Sequence, residues 1–391
     1  MIKIYLKPGK EQSLLRFHPW VFSGAIKNKE AEPAEGELVE VYSSSKEFLG
    51  TGHYQIGSIT VRIVSFVQTP IDYSFWKERL NQAYILRKNL GLAGTLYNNV
   101  FRLVHGEGDL MPGLIIDVYN RTAVMQMHSA GMFLIRELLA KALKDIMGDD
   151  LDSVYEKSEA TVPFKANLGA KNGYLLGNGS TDYVTEYGNK FLVDWVEGQK
   201  TGFFVDQREN RKLVEHYSKG KDVLNVFCYT GGFSVYSLRG GAKSVHSVDS
   251  SEKAVRLTDE NVKLNFPDAA HTSSEVDAFE FLNGIDNHYD LIILDPPAFA
   301  KHQSALTNAL QGYKRINHKA ISKIRPGGIL FTFSCSQVVT RDQFRQAVFS
   351  AAAIAKRNVR ILHQLTQPQD HPINIYHPEG EYLKGLVVYV E

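Results

Sequence analysis

Cysteine is almost absent from this sequence, because Cys228 and Cys335 are the two that occur in 391 residues. Two cysteines do not supply the disulfide framework that holds small secreted domains together. They also cannot form a zinc site without histidine ligands, since a structural zinc ion takes four ligands, so no metal is expected. Each cysteine therefore needs an explanation of its own.

Long apolar runs are missing as well. None approaches the roughly 20 residues that cross a bilayer, and the stretch Met1–Pro8 is too interrupted by polar residues to be a signal peptide. These absences predict a protein of the cytoplasm that does not enter a membrane. Because 43% of the residues are hydrophobic, the chain can bury more than one core, and we expect two or three domains.

A strong charge imbalance is the third missing feature, since the net charge is +1. The chain is therefore not a basic protein that coats nucleic acid, and contact with RNA would come from a local patch. The first thirty residues contain such a patch. Its basic residues are Lys3, Lys7, Lys10, Arg16, Lys27 and Lys29, and its aromatic residues are Tyr5, Phe17, Trp20 and Phe22. A solvated face above a small core explains this pattern equally well.

Patterning predicts three domains, at residues 1–68, 69–195 and 196–391. In the first, short apolar or alternating runs between Gly and Pro indicate a small β-barrel. The second combines helices at Tyr73–Leu90 and Gly131–Ile146 with strands and a hairpin around Gly188 and Asn189, which indicates an α+β domain. The strands predicted in these two regions are Lys3–Leu6, Leu38–Tyr42, Phe48–His53, Thr60–Ser65, Phe101–Val104, Leu114–Val118, Ala123–His128 and Ser153–Glu156.

In the third region, short apolar runs alternate with helical segments. This alternation is typical of an α/β fold with a parallel, doubly wound, Rossmann-like sheet. The predicted strands are Val223–Phe227, Ser244–Val248, Ser273–Val276, Leu291–Leu294, Ile329–Ser334, Val359–Leu365 and Leu383–Val390. The last strand follows a loop without a convincing crossover helix, so we expect it to pair antiparallel with its neighbour.

The first strand of this sheet leads into a loop with two adjacent glycines, Gly231 and Gly232. Glycines let a backbone approach a ligand closely. The loop lacks the third, spaced glycine of the dinucleotide-binding fingerprint, so a grip on a pyrophosphate is disfavoured. Cys228 lies in the same loop, and we interpret it as a packing residue.

Carboxylates follow the next strands. Asp249 ends the second strand, where it would accept both ribose hydroxyls of a nucleoside. Asp277 follows the third strand, where it would accept the adenine amino group while Phe279 packs on the ring, although a helix N-cap explains Asp277 as well. S-adenosylmethionine fits such a site because it needs no phosphate cradle. With Asp295 after the fourth strand, the set has the order of a class I methyltransferase.

Two strand ends carry the groups for chemistry. The run Tyr289–Leu294 leads into Asp295, and the next strand leads into Cys335. Neighbouring parallel strands end at the same edge of a sheet, so both residues are expected to face one pocket. A thiolate that adds to carbon 6 of cytosine makes carbon 5 nucleophilic, and Asp295 at ring nitrogen 3 would stabilise the developing charge. This hypothesis is cytosine-5 methylation of RNA.

Three alternatives remain open. A lone cysteine at a strand end is often a small buried hydrophobe. An Asp-Pro-Pro-aromatic loop would by itself suit methylation of a purine nitrogen, which needs no cysteine. The same sheet would also suit a non-catalytic RNA-binding assembly factor with a degenerate methyltransferase fold, although the glycine loop and Asp249 argue against it.

Four motifs together resemble those of the PUA-domain-containing 23S ribosomal RNA cytosine-5 methyltransferases of the RlmI type, over essentially the whole chain. They are Phe227–Ser234, Asp295–Lys301, Ser334–Ser336 and the lead-in stretch Lys200–Asn210. The resemblance implies an N-terminal PUA domain, Cys335 as nucleophile, S-adenosylmethionine as cofactor and large-subunit ribosomal RNA as substrate. The Asp295 loop departs from many cytosine-5 enzymes because it lacks their second cysteine, so the group that accepts the carbon 5 proton is not identified.

The motifs and the resemblance together imply two sets of contact residues, with catalysis assigned to Cys335 and Asp295. The cofactor is expected to contact Phe227, Tyr229, Thr230, Gly231, Phe233, Ser234, Asp249, Ser250, Asp277, Ala278, Phe279, Asp295, Pro296, Gln207 and Arg208. The base and the RNA are expected to contact Pro297, Phe299, Lys301, Phe204, Lys7, Arg16 and Trp20. An exposed edge of the terminal sheet or of the barrel would also let two chains pair, so a homodimer stays open.

Overall fold

The computed structural model describes residues 1–163, 166–179 and 183–391, which form two compact units. The first unit comprises Met1–Thr185, Val193–Val205 and Gln369–Gly380, and the second comprises Glu186–Leu192, Asp206–Pro368 and Glu381–Glu391. The first unit thus holds most of the two regions that the sequence assigns to a barrel and an α+β domain. The boundaries at residues 68 and 195 stay a prediction.

A six-stranded sheet forms the N-terminal part of the first unit. Its elements are β1 (Ile2–Leu6), α1 (Gln12–Leu15), β2 (Trp20–Phe22), β3 (Ile26–Lys29), β4 (Leu38–Tyr42), β5 (Phe48–Tyr54) and β6 (Ile59–Ser65). The strand order is β2-β6-β5-β4-β1-β3, in which β1 and β4 run parallel. Alternate residues point inward, so Ile4, Leu6, Val39 and Val41 share one core. The four predicted strands are confirmed, whereas β2 and β3 are too short, and β3 too polar, to be apparent from sequence.

The rest of the first unit is an α+β structure with a five-stranded sheet in the order β11-β10-β9-β8-β7. Its elements are α2 (Tyr73–Asn89), β7 (Val100–His105), β8 (Leu114–Tyr119), β9 (Thr122–Met127), α3 (Ala130–Leu134), α4 (Arg136–Met147), β10 (Ser153–Glu156) and β11 (Gly173–Leu176). The prediction of a single helix at Gly131–Ile146 is wrong, because Ile135 leaves the helical conformation (φ −103°, ψ 12°) between α3 and α4. Two short strands, β12 (Val184–Glu186) and β13 (Asn189–Phe191), form the predicted hairpin.

The segment Gln369–Gly380 is held in the first unit by a buried ion-pair network. Arg87 is fully buried, and its guanidinium donates to both carboxylate oxygens of Asp109 over 2.5 and 2.8 Å. The same guanidinium donates to the carbonyl oxygen of Asp370 over 2.8 Å. The Asp370 carboxylate accepts from the backbone N–H of Arg102 over 2.9 Å. Because buried charges need such partners, Asp370 completes the interior of this unit.

The second unit contains a seven-stranded sheet of the predicted α/β type, in the order β16-β15-β14-β17-β18-β20-β19. Its strands are β14 (Asp222–Val226), β15 (Ser244–Asp249), β16 (His271–Glu275), β17 (Leu291–Leu294), β18 (Gly328–Ser334), β19 (Val359–Leu365) and β20 (Lys384–Val390). Its helices are α5 (Arg208–Tyr217), α6 (Gly232–Arg239), α7 (Glu252–Asn265), α8 (Ala278–Gly284), α9 (Leu306–Lys323) and α10 (Arg341–Ala355). The terminal strand β20 runs antiparallel to both β18 and β19, which confirms the sequence prediction.

Packing on both faces explains why the central strands are so apolar. In β17, Leu291 and Ile293 pack into one hydrophobic cluster, whereas Ile292 and Leu294 pack into another. A parallel strand that is covered on both faces needs an apolar residue at every position. Within the described part of the chain, no helix combines the length and the apolar character needed to span a membrane.

Candidate active site

Two neighbouring strand ends bring Cys335 to the loop that begins with Asp295. Strands β17 and β18 are parallel neighbours, with Leu294 paired to Thr332. Asp295 follows β17 directly, and Cys335 follows β18 directly. Cys335 is a partly exposed residue, and its thiol donates to the carbonyl oxygen of Pro296, with Sγ and oxygen 3.9 Å apart. The sulfur therefore contacts the Asp295 loop, while the residue also packs against the hydrophobic cluster that contains Phe233 and Phe333.

Electrostatics keep a proton on Asp295 near neutral pH. Burial is the largest influence and raises its pKa, and the carboxylate of Asp206 raises it further. A hydrogen bond from Gln207 and the charge of Arg211 act in the opposite direction, and the resulting pKa is about 7. Gln207 is held in place by Asn210, whose Nδ2 donates to Gln207 Oε1 over 2.6 Å. Asp295 is therefore a carboxyl group that exists in both protonation states at pH 7.

Packing on α9 fixes the loops that carry the two reactive groups. The Phe299 ring lies 4.6 Å from the Tyr313 ring, between centroids, and leaves little room at Gly312, where an added Cβ would lie 3.0 Å from it. The Ser336 hydroxyl is 2.8 Å from the Tyr313 hydroxyl and accepts from the backbone N–H of Ala300 over 3.3 Å. Ser336 thus ties the Cys335 loop to the Asp295 loop. The predicted contact of Phe299 with a base stays a prediction.

The glycine loop has the shape of a ligand cradle. Phe227, Tyr229 and Gly231 all have positive φ, at 62°, 49° and 77°, which turns the backbone sharply after β14. Asp249 supports the turn, because its Oδ2 accepts from the Tyr229 N–H over 3.0 Å and its Oδ1 accepts from the Ser251 N–H over 3.1 Å. A carboxylate has about four acceptor positions, so Asp249 retains capacity for the two ribose hydroxyls of S-adenosylmethionine. These residues fit that cofactor.

Asp277 serves as a helix N-cap, which is one of its two predicted roles. Its Oδ1 accepts from the backbone N–H groups of Phe279 and Glu280 over 2.8 and 3.1 Å. Both bonds use Oδ1, so Oδ2 is the oxygen that would accept from an adenine amino group. Phe279 is partly buried beside it, and the Arg315 guanidinium lies 5.6 Å from the centre of its ring. The capping and cofactor roles are therefore compatible.

Several predicted cofactor residues direct their side chains away from the pocket. Phe233 stacks on Phe333 in the core, with centroids 5.6 Å apart, and the Ser234 hydroxyl is 2.7 Å from that of Ser247. Their contact with the cofactor stays a prediction. Arg208 is fully buried, with its Nε 3.5 Å from Glu186 Oε2. Thr230 and Ala278 are buried as well, whereas Ser250, Pro297 and Lys301 are exposed.

Cys228 packs as predicted. It is buried, its sulfur lies 3.4 Å from the Thr258 hydroxyl oxygen, and burial raises its pKa to about 12. Such a thiol stays protonated at neutral pH and is a poor nucleophile. The two cysteines thus differ in their surroundings.

Four of the predicted substrate contacts belong to the first unit. The Lys7 Nζ donates to the Gly24 carbonyl over 2.9 Å, and the Trp20 indole donates to Glu107 over 2.8 Å. Arg16 is exposed and Phe204 partly buried. Their roles in RNA binding stay a prediction.

Three residues of the site are not among the contacts that the sequence predicts. Asp206, which lies in the lead-in stretch Lys200–Asn210 and is also explained as a helix start, raises the pKa of Asp295. Ser336 joins two loops, and Lys384 donates from Nζ to the Ser336 carbonyl oxygen over 2.8 Å. The sequence gives one indication for Lys384, which is that it begins an otherwise apolar strand. Charged residues are rarely buried in such a strand unless they have a partner.

Comparison with known families agrees with this geometry. A family described as S-adenosylmethionine-dependent methyltransferase matches residues 172–374, which is more than half of the chain. The chain belongs to this methyltransferase family. Its cofactor is therefore S-adenosylmethionine, as the glycine loop and Asp249 predict. A family described as PUA-like domain matches residues 4–66, in agreement with the predicted N-terminal β domain.

This methyltransferase has relatives that align over nearly its whole length. The ribosomal RNA large subunit methyltransferase I of Aeromonas hydrophila is 41% identical over 398 residues, with 98% of each chain covered. The protein of the same name from Tolumonas auensis is 42% identical over 394 residues, with the same coverage. Among solved structures, a candidate SAM-dependent methyltransferase from Streptococcus mutans has a TM-score of 0.85 at 23% identity, over 100% of both chains. The structural likeness confirms the fold.

Replacing Gly231 with alanine is expected to lower the free energy of unfolding of the methyltransferase by about 1–3 kcal/mol, because alanine is strained at this φ. An added Cβ would also lie 2.7 Å from Thr258 Cγ2. Denaturant titration would measure the loss. The matched control is Gly284→Ala, whose Cβ would point into open space among the described residues. Equal stability of the two variants would contradict the strained conformation of the loop.

Proposed function

We propose that this methyltransferase forms 5-methylcytosine in large-subunit (23S) ribosomal RNA, through a covalent bond between Cys335 and carbon 6 of the cytosine. The observation that carries the proposal is the thiol of the partly exposed residue Cys335, whose sulfur lies 3.9 Å from the Pro296 carbonyl oxygen in the Asp295 loop. Methylation of a purine nitrogen needs no thiol there. The substrate class comes from the relatives, which are named ribosomal RNA large subunit methyltransferase I.

Cys335 begins the reaction as a thiolate. It attacks carbon 6 and forms a carbon–sulfur bond. The π electrons of the C5=C6 double bond shift through carbon 4 toward ring nitrogen 3. The protonated carboxyl of Asp295 donates to ring nitrogen 3, where negative charge develops. Carbon 5 then has enamine character, and S-adenosylmethionine supplies an electrophilic methyl group when it is bound. Loss of the carbon 5 proton to a base re-forms the C5=C6 double bond and expels the Cys335 thiolate, and the proton on nitrogen 3 returns to the Asp295 carboxylate.

The raised pKa of Asp295 supports its part in these steps. A carboxyl group with an ordinary pKa would be ionised at pH 7 and would have no proton to donate to nitrogen 3. Asp206 supplies negative charge that favours the protonated form of Asp295, and Asp206 itself accepts from the Tyr382 hydroxyl over 2.7 Å. A buried carboxyl group beside a second carboxyl group is a common way to build an acid at neutral pH.

Incubation of unmodified large-subunit ribosomal RNA with the enzyme and methyl-labelled S-adenosylmethionine is expected to give labelled 5-methylcytidine. Digestion to nucleosides followed by mass spectrometry identifies the product, and small-subunit ribosomal RNA is the control substrate. A labelled N-methylated purine would show that the chemistry is the alternative one. Absence of label, together with no heat of binding for S-adenosylhomocysteine, would point to a non-catalytic assembly factor.

Two further expectations concern the enzyme in the cell. An enzyme of ribosomal RNA works where ribosomes are assembled, which is the cytoplasm of a bacterium. Pairing of two chains at an exposed sheet edge would double the mass measured by light scattering during gel filtration. Both stay predictions.

A further inference from the structure

Lys384 is a buried lysine that contacts the residues on either side of Cys335. It is the first residue of β20, its exposed fraction is 3%, and in the antiparallel register it is paired with Ser334. Its Nζ donates to the carbonyl oxygen of Ser336 over 2.8 Å. Lys384 thus contacts the residues immediately before and after Cys335, one through its backbone and the other through its side chain. These contacts place the Lys384 side chain against the segment that carries Cys335, and the charge of Cys335 acts on the ammonium group.

Burial of an ammonium group is unfavourable unless an anion compensates it. Burial is the largest influence on Lys384 and lowers its pKa to about 8, while the charges of Cys335 and Glu381 act to raise it. Arg341 opposes them. Glu381 forms an ion pair with Arg341, so these two charges largely balance each other. The thiolate form of Cys335 is then the partner that remains for the ammonium group.

We propose that Lys384 is a positioning residue that holds Cys335 in its thiolate form, ready to attack carbon 6 of the base. The attraction acts equally on both partners, so an ammonium group that is stabilised by a thiolate also stabilises that thiolate. The assignment deepens the proposed function, because it concerns the nucleophile of that reaction. This role explains why strand β20, which is otherwise apolar, contains one charged residue.

Below about pH 7, the other groups around Cys335 do not oppose this role. Tyr313 of α9 interacts with the Cys335 charge, and its pKa is raised, chiefly by burial, so the phenol is neutral at working pH. Asp295, in the loop against which the thiol lies, retains its proton to about pH 7. Its neutral form does not repel a thiolate. Arg341 and Glu381 form the pair described above.

Alkylation of Cys335 by iodoacetamide tests the proposal without use of RNA. The rate of modification of the Cys335 peptide, followed by mass spectrometry across pH 5 to 10, gives the midpoint of thiol ionisation. Lys384→Gln removes the charge but retains a donor for the Ser336 carbonyl oxygen, whereas Lys384→Arg retains the charge. We expect the midpoint of the Gln variant to lie about one pH unit or more above that of the wild type, which is about tenfold less thiolate at pH 7. The Arg variant is expected to stay near the wild type.

A purely structural role for Lys384 predicts a different result. The Gln variant would then have the wild-type midpoint, and the proposal would be overturned. Binding of S-adenosylhomocysteine by calorimetry checks that each variant is folded, and Cys228 serves as an internal thiol that stays unreactive. If the Gln variant does not fold, the Arg variant still decides, because a midpoint well above that of the wild type despite a retained positive charge would contradict the electrostatic role.

The methylation assay separates this inference from the proposed function. The thiol midpoint reports on Lys384 whatever base is methylated, whereas the nucleoside analysis reports on the base alone. The Gln variant is expected to lose about tenfold in methyl transfer at pH 7 and to recover most of it as the pH rises toward its new thiol midpoint. No recovery at high pH would show that Lys384 acts in some other way.

Discussion

Replacement of Cys335 by alanine is expected to abolish methyl transfer, with a loss of about 10³-fold or more, while binding of S-adenosylhomocysteine is unchanged. Carbon 5 of cytosine has little nucleophilicity until a group adds to carbon 6, and alanine has no atom that can add. The cofactor loop lies at a different strand end, after β14, so its structure does not depend on the thiol. Transfer assays and calorimetry would measure the two properties separately.

RNA that contains 5-fluorocytosine tests the covalent bond to Cys335 directly. Fluorine at carbon 5 cannot leave as a proton does, so the covalent complex is expected to accumulate on the wild-type enzyme and to survive denaturing electrophoresis. The Cys335→Ala variant should give no such band, whereas Cys228→Ala should give the wild-type band because its thiol is buried. Full activity of the Cys335 variant would defeat the covalent mechanism.

Replacement of Asp295 by alanine is expected to lower the rate of transfer by about 10²–10³-fold, the usual loss when one donor to a developing charge is removed. Alanine leaves ring nitrogen 3 without its proton donor at the moment when charge accumulates there. Because alanine also lacks a charge, it should not disturb Asp206 or Arg211 electrostatically. Single-turnover kinetics with saturating cofactor would isolate this step from binding.

Asp295→Asn tests the protonation state itself. In the wild type, the donor is lost as pH rises through the Asp295 pKa of about 7, so the rate per thiolate should fall above that pH. An amide remains a neutral donor at every pH, and the Asn variant should lack this decline. Because the folded-state pKa of Asp295 is raised above its ordinary value of 3.8, its contribution to stability is complete below that pH and is lost progressively as pH rises toward 7. An unchanged decline in the Asn variant would assign the pH dependence to another group.

The catalytic sheet is largely predictable from sequence, because each central strand is buried on both faces and forms an apolar run such as Leu291–Leu294. The placement of Asp295 and Cys335 at one edge follows from the same reasoning, since adjacent parallel strands end together. β3 could not be predicted in this way, as its residues Ile26–Lys29 are mostly polar and gain their structure from pairing with β1.

The surroundings of Asp295 and Cys335 could not be predicted from the sequence, for a related reason. Asp206 and Lys384 come from segments far from Asp295 and Cys335 in sequence, and Lys384 belongs to none of the four motifs. Motifs also state which residues form a loop but not where side chains point, so the sequence does not show that the side chains of Phe233 and Ser234 pack inward. Tertiary packing determines both which distant residues reach the site and where the side chains of a loop point.

The position of Asp370 has a consequence for biosynthesis. A ribosome must translate through Gly380 before the first unit can acquire all of its parts, even though that unit begins at Met1. Until then Arg87 lacks the carbonyl oxygen of Asp370, and the backbone of Arg102 lacks its carboxylate acceptor. We therefore expect the α+β part of the first unit to complete this buried network only after most of the catalytic sheet has been synthesised.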